Sequence, residues 1–232
     1  MTPAELVAAL DDHGLLPLGH FSPDEDEALP AIAEDMPAAS LVLIGHVGSS
    51  HWSRFTASPE YLDGQPDPLD RWSGRIGDSL AARAGGRALY PFEGPPFHPF
   101  QRWAMRARAL HSSPLGILID AEFGLWQAFR FALLLPEPVG EATVSVVTSA
   151  PCDECVGQPC LAACPVGATT PAGFDHHACA DHLLSHEHSA CRTRVCVARA
   201  ACPVAPQWRY QSSHARFHID AFVGGLLRRG DR

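Results

Sequence analysis

"CDECVGQPCLAACPVGA", residues 152–168, holds four of the chain's eight cysteines and follows the last of them with a proline. The spacing is Cys152-x2-Cys155-x4-Cys160-x3-Cys164-Pro165. The remaining four, Cys179, Cys191, Cys196 and Cys202, are more widely spread, and the last again precedes a proline, Pro203. No cysteine lies in residues 1–150. This segregation suggests a body over 1–150, a cysteine module over 151–205, and a C-terminal segment over 206–232 that packs back on the body.

Three chemistries compete for the eight thiols. An even number admits a disulfide framework. A cysteine-free body of 150 residues can bury a core without such staples, however, and a reducing compartment disfavours them. Zinc is compatible with soft thiolates, and HHACADHLLSHEHSAC, 176–191, adds five histidines. Structural zinc sites usually pair Cys-x2-Cys couples, and only Cys152 and Cys155 form one. Dense loop histidines of this kind read first as solvated residues. The third chemistry is iron–sulfur. The bacterial ferredoxin run is Cys-x2-Cys-x2-Cys-x3-Cys-Pro, and its fourth cysteine serves the other cluster. Here one gap is two residues longer, and the terminal Cys-x3-Cys-Pro is intact. Crossed ligation then assigns Cys152, Cys155, Cys160 and Cys202 to one 4Fe–4S cluster and Cys164, Cys179, Cys191 and Cys196 to a second. None is left over. Arg192, Arg194 and Arg199 are suited to offset the negative charge of such centres.

Composition bounds the partners. Hydrophobic residues make up 46% and charged residues 19%, a globular balance. The net charge of −9 is unevenly spread: residues 151–232 carry eight arginines against seven acids, so the body holds the acidic excess. An acidic body argues against a nucleic-acid partner, which needs a basic phosphate-facing surface. The start, MTPAELVAALDDHG, lacks the basic and apolar regions of a secretory signal. The longest apolar run, Phe131 to Pro136, is too short to span a bilayer. The expectation is a cytoplasmic protein with no membrane partner.

The body alternates element types. Thr2, Pro3 and Glu5 read as a helix start. LPLGHFS (16–22) reads as a strand, the acidic 24–36 as a helix, and SLVLIGHV (40–47) as a buried strand. Leu69, Trp72, Ile76 and Leu80 fall at helical spacing within 68–84. RALYPF (87–92) suggests a strand and FQRWAMRARAL (100–110) a helix. Residues 116–138 read as two strands about a turn near Glu122–Gly124, and ATVSVVT (142–148) as a further strand.

The cysteine arrangement resembles that of epoxyqueuosine reductase and of corrinoid-dependent reductive dehalogenases. In those families two 4Fe–4S clusters feed electrons to a cobalamin. "FGLWQAFRFALLLPE" (123–137) is similar to a hairpin of the cobalamin-processing protein of the methylmalonic aciduria type C group. "DPLDRW" (67–72) resembles the start of that family's long helix. The resemblance implies an α+β chain: a nitroreductase-like body, mainly antiparallel sheet flanked by helices, with a C-terminal bacterial-ferredoxin-like two-cluster module. It implies a corrinoid pocket with Trp126 as wall and Arg130 as polar anchor, joined by Phe100, Trp103 and Phe129 or Phe131. The helical-repeat region with which epoxyqueuosine reductase grasps transfer RNA has no counterpart here.

The function expected is therefore that of an iron–sulfur oxidoreductase. It would take electrons from a donor protein and pass them to a cofactor, such as a corrinoid, or to a small-molecule substrate in the body. Glu93, in YPFEGPPFHPF, is a candidate acid. Two rival readings are a ferredoxin-like electron carrier with no second cofactor and a zinc-stabilised binding module.

Overall fold

A computed structural model describes residues 1–24, 28–140, 149–170 and 173–229. The chain forms two compact units, Met1–Leu110 with Gln127–Val147, and His111–Trp126 with Thr148–Arg232. The body and module expected from cysteine position thus exchange a segment: 111–126 belongs with the cysteines.

In chain order the first unit contains α1 (Pro3–Asp11), β1 (Leu16–Phe21), β2 (Ser40–Val47), α2 (Trp52–Thr56), α3 (Pro59–Leu62), α4 (Pro68–Ala84), β3 (Arg87–Leu89) and α5 (Phe100–Ala107). The second unit contributes β4 (His111–Ser112) and β5 (Leu118–Ile119), after which β6 (Gln127–Leu135) returns to the first. The architecture is α+β, with a four-stranded antiparallel sheet in the order β1-β2-β6-β3.

Local chemistry explains these elements. Thr2 caps α1 reciprocally: its hydroxyl accepts the Glu5 N–H at 3.3 Å, and the Glu5 carboxylate accepts the Thr2 N–H at 2.7 Å. Every residue of β2 is buried, as suits a central strand with the apolar run Leu41 to Ile44 at its heart. Its register with β6 shifts between Ile44 and Gly45. A Cβ at Gly45 would stand 2.2 Å from the Ala128 carbonyl oxygen, so the irregularity needs glycine. On α4 the stripe Leu69, Trp72, Ile76 and Leu80 is buried, and the helix packs on β3 and β6. Helices α1 and α5 pack on β1, and α5 also meets β2.

Four expectations change. The helix over 24–36 is absent from the described residues 28–36, where Ala33 and Met36 instead bridge a tight turn. Pro30 removes an N–H donor within that stretch. The strand over 87–92 stops at Leu89, and the helix over 100–110 at Ala107. Residues 116–138 form no hairpin. β5 is two residues long and pairs with β4, whereas β6 pairs with β2 and β3. Asp120 turns the chain by accepting the Phe123 N–H at 2.5 Å, and nine-residue β6 finds in β2 a partner of matching length. The strand expected over 142–148 lies outside the described residues.

The second unit is built of short pieces: α6 (Pro159–Ala163), β7 (Thr169–Thr170), β8 (Gly173–Phe174), α7 (His176–Ser185), α8 (Ala190–Thr193), α9 (Val197–Ala200) and α10 (Ser212–Arg229). Helix α6 packs on α9, and α10 on α7 and α8. Residues 206–229 group with the cysteines in the second unit. No helix among the described residues is long and apolar enough to cross a membrane.

Candidate functional site: two four-cysteine recesses

The spacing of 152–164 builds its own scaffold. The Cys155 N–H bonds the Cys152 carbonyl at 3.3 Å, closing a turn. Pro159 opens α6, which carries Cys160 in its first turn and delivers Cys164 at its C-cap. On the return path Cys196 is the N-cap of α9, and Cys202 follows that helix's end.

The eight thiols fall into two sets. Cys152, Cys155, Cys160 and Cys202 line one recess, of about 20 Å³. Cys164, Cys179, Cys191 and Cys196 line the other, of about 230 Å³. Each set draws three cysteines from one run and one from the other run. Helices α6 and α9 are the crossing points, since each begins at a cysteine of one set and ends beside a cysteine of the other. No disulfide joins any of the eight.

The electrostatics follow the same division. Burial pushes the Cys152 thiol up, and Cys202, Cys160 and Cys155 add to the shift. Burial likewise pushes Cys179 up to about 11, followed by Cys196, Cys164 and Cys191. Backbone N–H groups act the other way. The Val197 and Val204 amides favour the thiolates of Cys191 and Cys202, and the Leu161 amide that of Cys160, though burial leaves all three raised. The Ala168 N–H donates to Cys164 Sγ at 3.3 Å. Converging sulfurs with amides directed at them suit ligation of a cationic centre.

The width of the sets discriminates among centres. No three of the eight sulfurs, all of them in described residues, lie within 4.8 Å of one another. A tetrahedral zinc with bonds of about 2.3 Å draws its sulfurs to about 3.8 Å apart. A polynuclear cluster bonds each thiolate to a different metal atom and so accommodates a wider cage.

Trp126 is fully buried in the second unit, with its ring centroid 5.5 Å from that of Tyr210. The Arg199 guanidinium lies 4.6 Å from the Trp126 ring centroid and 4.4 Å from that of Tyr210, and it donates to the Leu125 carbonyl. Arg130 is a half-buried residue of β6 in the first unit, its Nε donating to the Phe129 carbonyl at 3.0 Å. Its charge lowers the pKa of Asp70, but burial dominates and leaves that carboxyl raised. The expected wall residues Phe100, Trp103 and Phe131 are buried among the apolar residues of the core, and Phe129 is half-buried. Glu93 is exposed, accepts the Tyr90 N–H at 3.1 Å and lies 3.7 Å from His98 Nε2.

Sequence reasoning passed over α10. Ala215, His218, Ile219 and Phe222 line the wider recess with Tyr210. They fall at helical intervals of three and four, the signal that could have found them. Comparison with models of known protein families finds no match, and comparison with curated proteins finds none either.

Proposed function

We propose that the chain is an iron–sulfur electron-transfer protein whose second unit, a bacterial-ferredoxin-like module, holds two 4Fe–4S clusters. The observation that carries the reading is the division of eight free thiols into two crossed sets of four. The spread of the sulfurs supports a polynuclear centre over a single zinc. Bound clusters supply one-electron storage. The chain supplies thiolate ligation, amide hydrogen bonds to sulfur, and burial.

An oxidoreductase needs an acceptor, and the proposal for it is a corrinoid or a small molecule in a nitroreductase-like body. The antiparallel sheet with its flanking helices supports such a body. A carrier with no second cofactor is the second reading, and a specific observation favours it: Trp103 and Phe131 are 2% and 0% exposed, so neither offers a face to a cofactor.

The test is the iron, sulfide, zinc and cobalt content of anaerobically prepared full-length chain, with electron paramagnetic resonance of the reduced protein. About eight iron and eight labile sulfide per chain are expected from the ligand count. Stoichiometric zinc without sulfide overturns the reading. Titration with hydroxocobalamin, and separately with flavin mononucleotide, distinguishes the cofactor-bearing enzyme from the carrier.

A further inference from the structure

The two recesses each present four thiols, yet the second is an order of magnitude larger, about 230 Å³ against about 20 Å³. Both offer the same number of thiols, so the second surrounds an equal ligand set with far more space. Its remaining walls are largely apolar: Phe174, Leu183, Val195, Ile219 and Phe222. Three nitrogen-bearing residues interrupt them, Arg199 from α9, His182 from α7 and His218 from α10. Arg199 Nε and His182 Nε2 are both buried, and neither has a hydrogen-bond partner among the described residues.

An orphaned buried donor is costly to leave unmade, roughly 1–3 kcal/mol and more where the group is charged. Arg199 Nε–H donates in any state and His182 Nε2 donates in the tautomer protonated there, so the two on one chamber mark a place for an acceptor. Arg199 cannot shed its proton, so its Nε–H is always a donor, and its charge selects an anion. The apolar walls restrict that anion to a hydrophobic molecule. Size restricts it further: drug-sized ligands need roughly 300 Å³ or more, whereas a dry cavity of about 150 Å³ accepts one benzene ring. Phe174, on the chamber's wall, is 46% exposed and gives the recess an open side.

We infer that the chamber beside Cys164, Cys179, Cys191 and Cys196 is a binding site for a compact apolar carboxylate, about one ring in size, held by Arg199 and His182. The inference rests on the iron–sulfur reading, because the ligand shares its recess with the second cluster. Binding there places the ligand against the second cluster and so changes that centre's signal.

The experiment uses cluster-loaded full-length chain under anaerobic conditions. Benzoate is the probe and benzyl alcohol its uncharged counterpart. Calorimetry reads affinity, and paramagnetic resonance reads each cluster. Benzoate is expected to bind and to perturb only the second centre, with benzyl alcohol weaker by roughly tenfold or more, the worth of one charge-assisted hydrogen bond. Arg199→Gln should erase that preference when binding is normalised to the iron and sulfide content of the variant. Ile219→Trp, which fills the chamber, should abolish binding of both molecules. Full iron and sulfide with no benzoate binding at millimolar concentration overturns the inference and leaves the iron–sulfur reading standing. Binding that is equal for the two probes, or unchanged in Arg199→Gln, overturns the assigned recognition. Absence of iron and sulfide overturns both.

Discussion

Two sets of four thiols share one unit, but they are enclosed in different ways. Around the first, Ile119, Leu125 and Cys202 form a buried apolar cluster, with Leu115, Cys152 and Val204 packed against it. That wall comes from 111–126, the segment that leaves the body to join the cysteines. Around the second, the wall combines one face of helix α10 with Phe174, Leu183 and Val195. The first set is closed by side chains that touch the ligands themselves. The second is walled in part by that helix and is much the wider of the two, which is why the further ligand is proposed there.

The crossing of the sets is the sharpest point at which to break this comparison. Cys202→Ala and Cys155→Ala should erase the same paramagnetic centre, although 47 positions separate them in sequence. Cys164→Ala and Cys191→Ala should erase the other. Each variant should retain about four of eight irons if the surviving set folds. Loss of one common centre in Cys155→Ala and Cys164→Ala would show that the sets are not crossed.

The closed wall predicts a second, smaller asymmetry. Gly124 has φ +59, and a Cβ there would lie 2.5 Å from the Val204 carbonyl oxygen, two residues beyond Cys202. Gly116 has φ +72 with nothing within 4 Å of its added Cβ. Gly116→Ala should therefore cost only the left-handed strain, about 1 kcal/mol. Gly124→Ala should add an overpacking penalty of roughly 1–3 kcal/mol. It should also broaden the first centre's signal and spare the second. Chemical denaturation of the two variants side by side checks the difference, and equal losses would remove Gly124 from the wall.

The same contrast of near and distant partners explains what was legible in the sequence. Helix α4 announces itself locally, through Pro68 at its start, its apolar stripe and Gly85 at its end. Strand β2 does so through the apolar run Leu41 to Ile44 and the bounding Gly48. The pairing of β6 does not, because alternation names a strand without naming its neighbour, and β2 lies some 80 residues upstream. The acidic stretch after β1 misled because charge pattern outweighed Pro30 in the reading. Cysteine spacing named the candidate ligands, since such runs are local. The walls were harder. Helix α10, SSHARFHIDAFVGGLLRR, contains two adjacent glycines and two histidines, and its apolar stripe is diluted. Trp126 and Arg130 stand in one motif, but the chain between them passes from one unit to the other.

The smallest expected effect concerns the wider set without metal. Cys179 titrates at about 11 in the folded chain, against an ordinary 9.0, because burial penalises its thiolate and the neighbouring Cys196, Cys164 and Cys191 repel it. Between those two values the unfolded chain has lost this proton while the folded chain keeps it. Stability of the metal-free protein is therefore intact below about pH 9 and falls as pH rises towards 11. The thiol retains partial solvent contact, so the loss is about 1 kcal/mol or less, below the roughly 1.4 kcal/mol per unit of an unscreened shift. Urea denaturation across that range should show the decline, and Cys179→Ser should flatten it. Loading reverses the sign. A cationic centre favours the thiolate, binding releases the proton, and acid rather than alkali then weakens the folded state. If loaded and metal-free chains lose stability in the same direction above pH 9, Cys179 is not a ligand and the second set has only three.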